Sequence, residues 1–254
     1  MKKFQMAFQF LTRVGRGNAY DQELVGASMA WFPIIGLIIG SLLVMVYEAT
    51  LKLFPPAIAD IIAITFLIWF TRALHLDGFC DTVDGFYVGG ENKAGSPRIR
   101  KKRISKVMKD PSVGSMASVA LWVLLTLKFI ALTSLDLQTS ISGLLLMPVV
   151  SRWMIVMAAR LCDYAWEEEG LGRLFVEQVS WTHFWDATGS AVLCLVLILG
   201  FTAGIQIGVF LVTAALGLIV LINRRIGGMT GDTLGAVCEI SEVLFLLSLV
   251  FVYS

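Results

Sequence analysis

The chain has 254 residues, of which 57% are apolar and 15% are charged, and its mean hydropathy is +0.80. Ordinary soluble domains are about 45–50% apolar and about 25% charged. The composition therefore excludes a disordered protein, a nucleic-acid-binding module and a typical soluble enzyme. The formal net charge of +1 indicates no partner by itself.

Seven apolar stretches are predicted to be membrane-spanning helices, because a span needs about 20 mostly apolar residues. They cover residues 28–50, 57–76, 112–135, 139–159, 187–203, 205–222 and 232–253. Their apolar residues are continuous and do not alternate, which favours helices over barrel strands. Since residues 187–222 could also form one hairpin, the number of spans is six to seven. The predicted fold is an all-α integral membrane bundle, with residues 1–254 as a single domain.

Residues 1–26 are predicted to lie at the membrane interface. Phe4, Ala7, Phe8 and Leu11 recur with helical spacing beside basic residues, which is typical of an interfacial amphipathic helix. A helix packed on the bundle is the alternative. The seven Trp residues mostly lie near the ends of spans, as in an aromatic belt.

Lys and Arg residues are distributed unevenly over the predicted loops. Sixteen of the 20 fall on the side of the N-terminus, and only Lys52 falls on the opposite side. The positive-inside rule then places the N-terminus in the cytoplasm. The long polar segments fall on this side too, including the motif segment 77–111. Within the spans, Lys128 is expected to snorkel outward to the membrane surface.

The segment after the second span carries three regularly spaced carboxylates. On a helix, Asp77, Asp81 and Asp84 lie within about 60° of one another, at positions i, i+4 and i+7. They repel one another, and near a helix C-terminus the helix dipole adds to the penalty. The pattern therefore predicts a bound cation, for which oxygen ligands favour Mg²⁺ or Mn²⁺. Gly78 and Gly85 would let a ligand approach the backbone. A solvated helix end paired with the basic loop is the alternative.

A second acidic face opens the last span. Asp232, Glu239 and Glu242 follow one another at i, i+7 and i+10. Asp232 is predicted at a cytoplasmic helix N-terminus, as a site residue or as a cap. Ionisable residues inside a span favour a functional role. The alternative for the two glutamates is an ion pair with Arg152 or Arg72.

The basic loop over residues 93–109 ends in a predicted phosphate site. Asp110 is expected to cap a helix that begins at Pro111. The free N–H groups of that helix start would bind an anion. The residues expected at this cradle are Ser112, Gly114, Ser115, Lys106 and Lys109. A topogenic signal that touches anionic lipid is the alternative for most of the loop.

Two further residues are candidates with strong competing interpretations. Arg13 could contact a phosphate, whereas anchoring at the membrane surface is the favoured alternative. His75 lies about 120–160° from the aspartate face, so packing or hydrogen bonding is favoured over catalysis. It would be a candidate base only if the helix were broken at Gly78.

Five segments together resemble one enzyme family, in the right order along nearly the whole chain. They are Phe10-Leu-Thr-Arg13, Trp31-Phe-Pro33-Ile-Ile-Gly36, His75-Leu-Asp-Gly-Phe-Cys-Asp-Thr-Val-Asp-Gly85, Met108-Lys109-Asp110, and the Gly227–Ala236 segment GGMTGDTLGA. This pattern is similar to that of the adenosylcobinamide-GDP ribazoletransferases, also called cobalamin-5′-phosphate synthases. It departs from the family after Asp110, where Pro111-Ser-Val-Gly114 lacks the usual Arg.

The resemblance implies an enzyme of the cytoplasmic (inner) membrane of a prokaryote, which joins adenosylcobinamide-GDP to α-ribazole or its 5′-phosphate and releases GMP. It implies Mg²⁺, with Asp77, Asp81, Asp84 and Asp232 as ligands. Asp84, Asp232 and His75 are the candidates for a catalytic role, and the identity of the proton acceptor stays open. The basic loop would neutralise the leaving GMP. Membrane lipid, other cobalamin-assembly enzymes and a second copy of the chain are further expected partners, and nucleic acid is not expected.

Three other functions compete with this interpretation. A CDP-alcohol phosphotransferase would carry Ala-Arg where this chain has Cys80-Asp81. An aromatic prenyltransferase would carry two separate Asp-rich motifs that end in DxxxD. An ion-coupled transporter would place its charges near the midplane and show an inverted repeat, and this chain shows neither feature.

Overall fold

The computed structural model describes residues 1–15, 21–91, 97–167 and 170–253, and these residues form helices and no β-strand. The helices are α1 (Lys2–Leu11), α2 (Val25–Ser28), α3 (Phe32–Leu51), α4 (Pro56–Phe70), α5 (Leu74–Glu91), α6 (Pro97–Met108), α7 (Ser115–Thr133), α8 (Leu137–Leu161), α9 (Leu171–Gln178), α10 (Trp181–Leu199), α11 (Phe201–Ile226) and α12 (Gly231–Tyr253). The all-α prediction is confirmed. Arg16 and Lys93, which contribute to the predicted charge asymmetry, lie outside the described residues.

Six helical segments of the described chain are long and apolar enough to cross a membrane. They are the continuous segment Gln22–Leu51, which contains α2 and α3, and α7, α8, α10, α11 and α12. The bent pair α4–α5 makes the number seven if it is counted as one span. The predicted number of six to seven is therefore confirmed. Helices α10 and α11 are separate, because the backbone turns at Gly200 with φ of +82°.

The predicted helical span over residues 57–76 is wrong. Helix α4 ends at Phe70, and α5 leaves it at an angle of 87°. Between them Arg72 and Ala73 have φ values of +59° and +54°. A residue in this left-handed conformation interrupts a right-handed helix. The Arg72 guanidinium donates hydrogen bonds of 3.2 Å to the carbonyls of Gln9 and Phe10 in α1, which holds the break in place.

The break changes the electrostatic setting of the aspartate motif. Because a new helix begins at Leu74, Asp77 lies in the first turn of α5. A helix N-terminus favours a negative charge. The expected penalty from a helix C-terminus is therefore wrong for Asp77.

Helix α8 is the central element of the bundle. Its residues from Leu146 to Ala159 are buried, and α3 and α12 pack along it. At one end of the bundle, Phe10 of α1 packs against Phe32 of α3 and Phe175 of α9, with ring centroids 6.2 and 4.5 Å away. Helices α7 and α12 also begin at this end, which we call the motif end.

Candidate active site

The structure brings the four predicted metal ligands together at the motif end. Asp77, Asp81 and Asp84 all lie in α5, so their predicted helical spacing is confirmed. Asp81 interacts electrostatically with Asp232, Asp77 and Asp84. Asp232, in the first turn of α12, interacts with Asp77 and with the cation of Lys109. We call the four carboxylates the acidic cluster.

A close approach of α5 and α12 brings the two halves of this cluster together. A Cβ atom added to Gly78 would lie 2.7 Å from the carbonyl oxygen of Asp232. One added to Gly235 would lie 3.0 Å from the carbonyl oxygen of His75. The backbones meet because neither glycine has a side chain. The predicted close approach at Gly78 is thus made by α12, and its contact with substrate stays a prediction.

Helix α6 packs against α5 at the second glycine of the motif. An added Cβ at Gly85 would lie 2.8 Å from Cγ of Met108, which is itself buried. Gly85 therefore has a packing role in the structure, and a substrate contact there stays a prediction. This packing fixes the position of the lysines on α6 relative to the acidic cluster.

The predicted helix start near Pro111 is wrong. Helix α7 begins at Ser115, and Asp110 instead accepts hydrogen bonds from the N–H group, at 2.9 Å, and the hydroxyl of Ser112. These two bonds hold the pKa of Asp110 below its ordinary value. The residue that opens α7 is Gly114, whose N–H donates to Asp84 Oδ2 at 2.7 Å. The expected anion site at this helix start therefore holds a carboxylate of the protein itself.

Of the two predicted phosphate-binding lysines, Lys106 lies in α6 and Lys109 lies directly after its last residue, and both are exposed. Lys106 and Lys109 line a cleft of about 430 Å³ with Lys101, Lys102, Ser105, Trp166 and Glu167. We call it the lysine cleft. Because Lys109 also attracts Asp232, the cleft adjoins the acidic cluster.

His75 lies apart from the acidic cluster. Its side chain is buried and interacts electrostatically with Arg152, Glu242 and Lys128. These residues belong to a different group of charges. The environment fits the favoured packing role, and a catalytic role for His75 stays a prediction.

A buried ion cluster joins α7, α8 and α12. Lys128 Nζ lies 2.5 Å from Glu239 and 2.6 Å from Glu242, and Arg152 lies 2.5 Å from Glu242. The prediction that Lys128 snorkels outward is wrong, since the residue is 2% exposed. The predicted pairing with Arg152 is confirmed for Glu242. The alternative partner Arg72 instead binds carbonyls of α1.

Sequence reasoning missed Lys128 as a partner, although charge balance pointed to it. Two buried glutamates require two cations, because an unpaired buried charge is costly. Arg152 supplies one of them. Arg72 and Lys128 are the two remaining Lys or Arg residues within predicted spans, and the structure selects Lys128 because the helix breaks at Arg72.

Arg13 lies at the end of α4. Its N–H donates to the carbonyl of Phe70 at 2.8 Å, and its guanidinium lies 4.2 Å from the ring centroid of Trp69. Trp69 is exposed on the outside of the bundle. This arrangement fits anchoring at the membrane surface, and a phosphate contact stays a prediction.

The donor chemistry of the acidic cluster fits a hard divalent cation. Among the described residues, no group of three or more His, Cys, Asp or Glu side chains is placed to hold one metal ion. A Mg²⁺ site does not need such a group, because Mg²⁺ is commonly held by one or two carboxylates, water and substrate phosphates. The cluster offers carboxylates beside a cationic cleft suited to phosphate.

Comparisons with known proteins agree over nearly the whole chain. A family model described as cobalamin-5-phosphate synthase matches residues 3–250. The adenosylcobinamide-GDP ribazoletransferase of Clostridium acetobutylicum is 32% identical over 250 residues, which cover 97% of this chain and 95% of the relative. That of Chlorobaculum parvum is 34% identical, with coverages of 88% and 85%. That of Fusobacterium nucleatum is 32% identical, with coverages of 97% and 96%. No solved structure matches the chain.

Proposed function

This chain belongs to the cobalamin-5-phosphate synthase family, and we propose that its acidic cluster is the catalytic centre of an adenosylcobinamide-GDP ribazoletransferase. In this reaction a ribose hydroxyl of α-ribazole, or of its 5′-phosphate, attacks the corrinoid-side phosphorus of adenosylcobinamide-GDP. A new phosphorus–oxygen bond forms, and the bond to the bridging oxygen breaks. GMP leaves, the hydroxyl proton is lost, and the product is adenosylcobalamin or its 5′-phosphate.

The observation that carries the proposal is the meeting of the acidic cluster with the lysine cleft. Asp232 interacts electrostatically with Asp77 and with Lys109, so the carboxylates and a lysine of the cleft lie near one another. Phosphoryl transfer requires mostly positioning and charge neutralisation. Lys106 and Lys109 would neutralise the leaving GMP, and the carboxylates would hold the cation that a diphosphate needs.

We infer that this cation is Mg²⁺, with ligands drawn from Asp77, Asp81, Asp84 and Asp232. Carboxylates alone would repel a diphosphate, whereas an ion shared between them joins the two. When bound, the ion supplies Lewis-acid stabilisation of the charge that develops on the phosphate oxygens. Gly114 holds Asp84 through its N–H, and Lys109 offsets the charge of Asp232. The proton acceptor belongs to this cluster, with Asp84 and Asp232 as the proposed residues.

We place the site at the cytoplasmic face of the inner membrane. The support is the bias of 16 among 20 basic residues to the predicted side of the N-terminus. The lysines of α6 lie at the same end of the bundle as the acidic cluster. Contacts with other cobalamin-assembly enzymes or with a second copy of the chain stay predictions.

A substrate panel tests the proposal. Purified protein in lipid nanodiscs is incubated with adenosylcobinamide-GDP, α-ribazole 5′-phosphate and Mg²⁺, and GMP release is measured by chromatography. Parallel reactions contain a CDP-alcohol or a prenyl diphosphate with matched acceptors. We expect GMP only with the corrinoid substrate and only with both substrates present. Turnover of a CDP-alcohol or prenyl diphosphate without any GMP from the corrinoid would refute the proposal.

A further inference from the structure

The lysine cleft combines three kinds of side chain that a nucleotide requires. Its volume of about 430 Å³ falls within the range of small-molecule sites, which are about 300–1,000 Å³. Three lysines on α6, together with Lys109 directly after it, provide the positive charge. Opposite them, the segment after α8 contributes the indole of Trp166 and the carboxylate of Glu167.

The backbone next to Trp166 is hydrogen-bonded to another part of the chain. The N–H of Ala165 donates to the carbonyl of Met229 at 2.8 Å, and the N–H of Met229 donates to the carbonyl of Asp163 at 2.9 Å. These paired bonds attach the segment to the turn between α11 and α12. The ammonium of Lys101 lies 5.6 Å from the Trp166 ring centroid, so the indole lies within the cationic cleft.

The cleft and the acidic cluster are linked by Lys109. Lys109 lines the cleft and interacts with Asp232, so the phosphate end of a bound nucleotide would lie beside the carboxylates. Trp166 would then bind the base, because nucleobases stack on aromatic side chains. Glu167 would distinguish guanine from adenine by hydrogen bonding. A carboxylate accepts hydrogen bonds, and the Watson–Crick edge of guanine offers two adjacent donors, whereas adenine offers one.

We propose that the lysine cleft binds the guanosine monophosphate half of the activated substrate, with the base stacked on Trp166 and read by Glu167. Its phosphate lies between Lys106 and Lys109. This inference rests on the proposed function for the nucleotide itself, and it adds the position of the base and the residue that selects guanine. An anionic lipid headgroup would bind the same lysines, but the carboxylate of Glu167 would not increase its affinity.

Ligand binding to the full chain in neutral-lipid nanodiscs separates these contributions. Calorimetry compares GMP, AMP and ribose 5-phosphate. Trp166→Ala should lower the affinity for GMP by roughly fivefold to 150-fold, the usual range for loss of one base–aromatic stack. It should leave the affinity for ribose 5-phosphate unchanged, and Trp166→Phe should retain most of the affinity for GMP. Glu167→Gln should remove most of the preference for GMP over AMP.

Trp181→Ala is the matched control. Trp181 is exposed, whereas Trp166 is half-buried, but like Trp166 it has a cation near its ring, with Arg160 at 4.2 Å, and it does not line the cleft. This variant should bind GMP as the unmodified chain does. In the double variant with Lys106→Gln and Lys109→Gln, the affinities for GMP, AMP and ribose 5-phosphate should all fall by a similar factor. Size-exclusion chromatography and the retained binding by Trp166→Phe distinguish loss of the stack from loss of the fold.

Two results would overturn the inference while the proposed function stands. The first is normal GMP affinity and normal KM in Trp166→Ala. The second is a combination of two observations. Phosphatidylglycerol nanodiscs compete with GMP, and the lysine variants abolish this competition, while the affinity for GMP is unchanged in Trp166→Ala and Glu167→Gln. This result would identify a lipid headgroup site. Absence of GMP release from adenosylcobinamide-GDP by the unmodified chain would instead refute the proposed function.

Discussion

The carboxylate of Asp84 accepts a hydrogen bond of 2.7 Å from the N–H of Gly114, thirty positions further along the chain. This bond ties the last aspartate of the α5 motif to the residue that opens α7. A carboxylate at a helix start interacts with both the free N–H group and the helix dipole. The orientation of Asp84 is therefore set by the start of α7 as well as by its own helix.

Gly114→Ala should disturb Asp84 selectively. An added methyl carbon would overlap the carboxylate, so Asp84 would have to turn away and lose the bond. Hydrogen bonds to charged groups contribute about 1.5–3 kcal/mol, so we expect GMP release to fall at least tenfold. Gly189→Ala is the control, because nothing lies within 4 Å of its added Cβ. Equal rates in the two variants would show that the position of Asp84 is unimportant.

Asp81→Asn should abolish turnover without unfolding the protein. Asp81 lies among Asp77, Asp84 and Asp232, so removal of its charge relieves repulsion and should leave the melting temperature equal or higher. The proposed ion would lose a ligand. Mn²⁺ binding, followed by electron paramagnetic resonance with adenosylcobinamide-GDP present, should weaken in parallel.

Asp136→Asn is the control for this experiment. Asp136 caps the start of α8 with bonds of 2.9 and 3.1 Å to the N–H groups of Gln138 and Thr139. Asn caps helices nearly as well as Asp, so this variant should keep both Mn²⁺ binding and turnover. Full activity of Asp81→Asn would contradict the assignment of Asp81 as a metal ligand.

Lys128→Met should strongly destabilise the bundle. It leaves Glu239 and Glu242 buried, with Arg152 as their remaining partner in the ion cluster. Loss of one member of a buried ion pair costs about 3–5 kcal/mol. Addition of Glu239→Gln restores the charge balance and should recover most of this loss in the free energy of unfolding. Thermal unfolding in one detergent measures both variants, and equal melting of Lys128→Met and the unmodified chain would disprove the prediction.

The helix face of the aspartates could be predicted from sequence because it depends on spacing alone. Positions i, i+4 and i+7 share a face in any helix, and α5 confirms this for Asp77, Asp81 and Asp84. The family and its reaction could be predicted for a similar reason, since the motifs are short and local. The comparisons support both over residues 3–250.

The break at Arg72 and Ala73 could not be predicted in this way. Neither residue is Gly or Pro, and the left-handed backbone is held by hydrogen bonds from Arg72 to α1, more than sixty positions away. The partner of Lys128 likewise depends on which helices pack together. The helix start at Gly114 depends on Asp84 of a different helix. Such features follow from tertiary contacts, which local patterns do not specify.

The orientation of the bundle can be tested with two single cysteines in a chain whose native cysteines are replaced. Leu53 is 77% exposed in the turn between α3 and α4, at the end away from the motif, and Lys102 is exposed on α6. Because basic residues are retained in the cytoplasm, we expect Lys102→Cys to react with a membrane-impermeant maleimide only after cells are permeabilised. Leu53→Cys should react in intact cells, and the cysteine-free parent should not react at all. The opposite pattern would place the acidic cluster on the outer face, away from the compartment that supplies nucleotide-activated substrates.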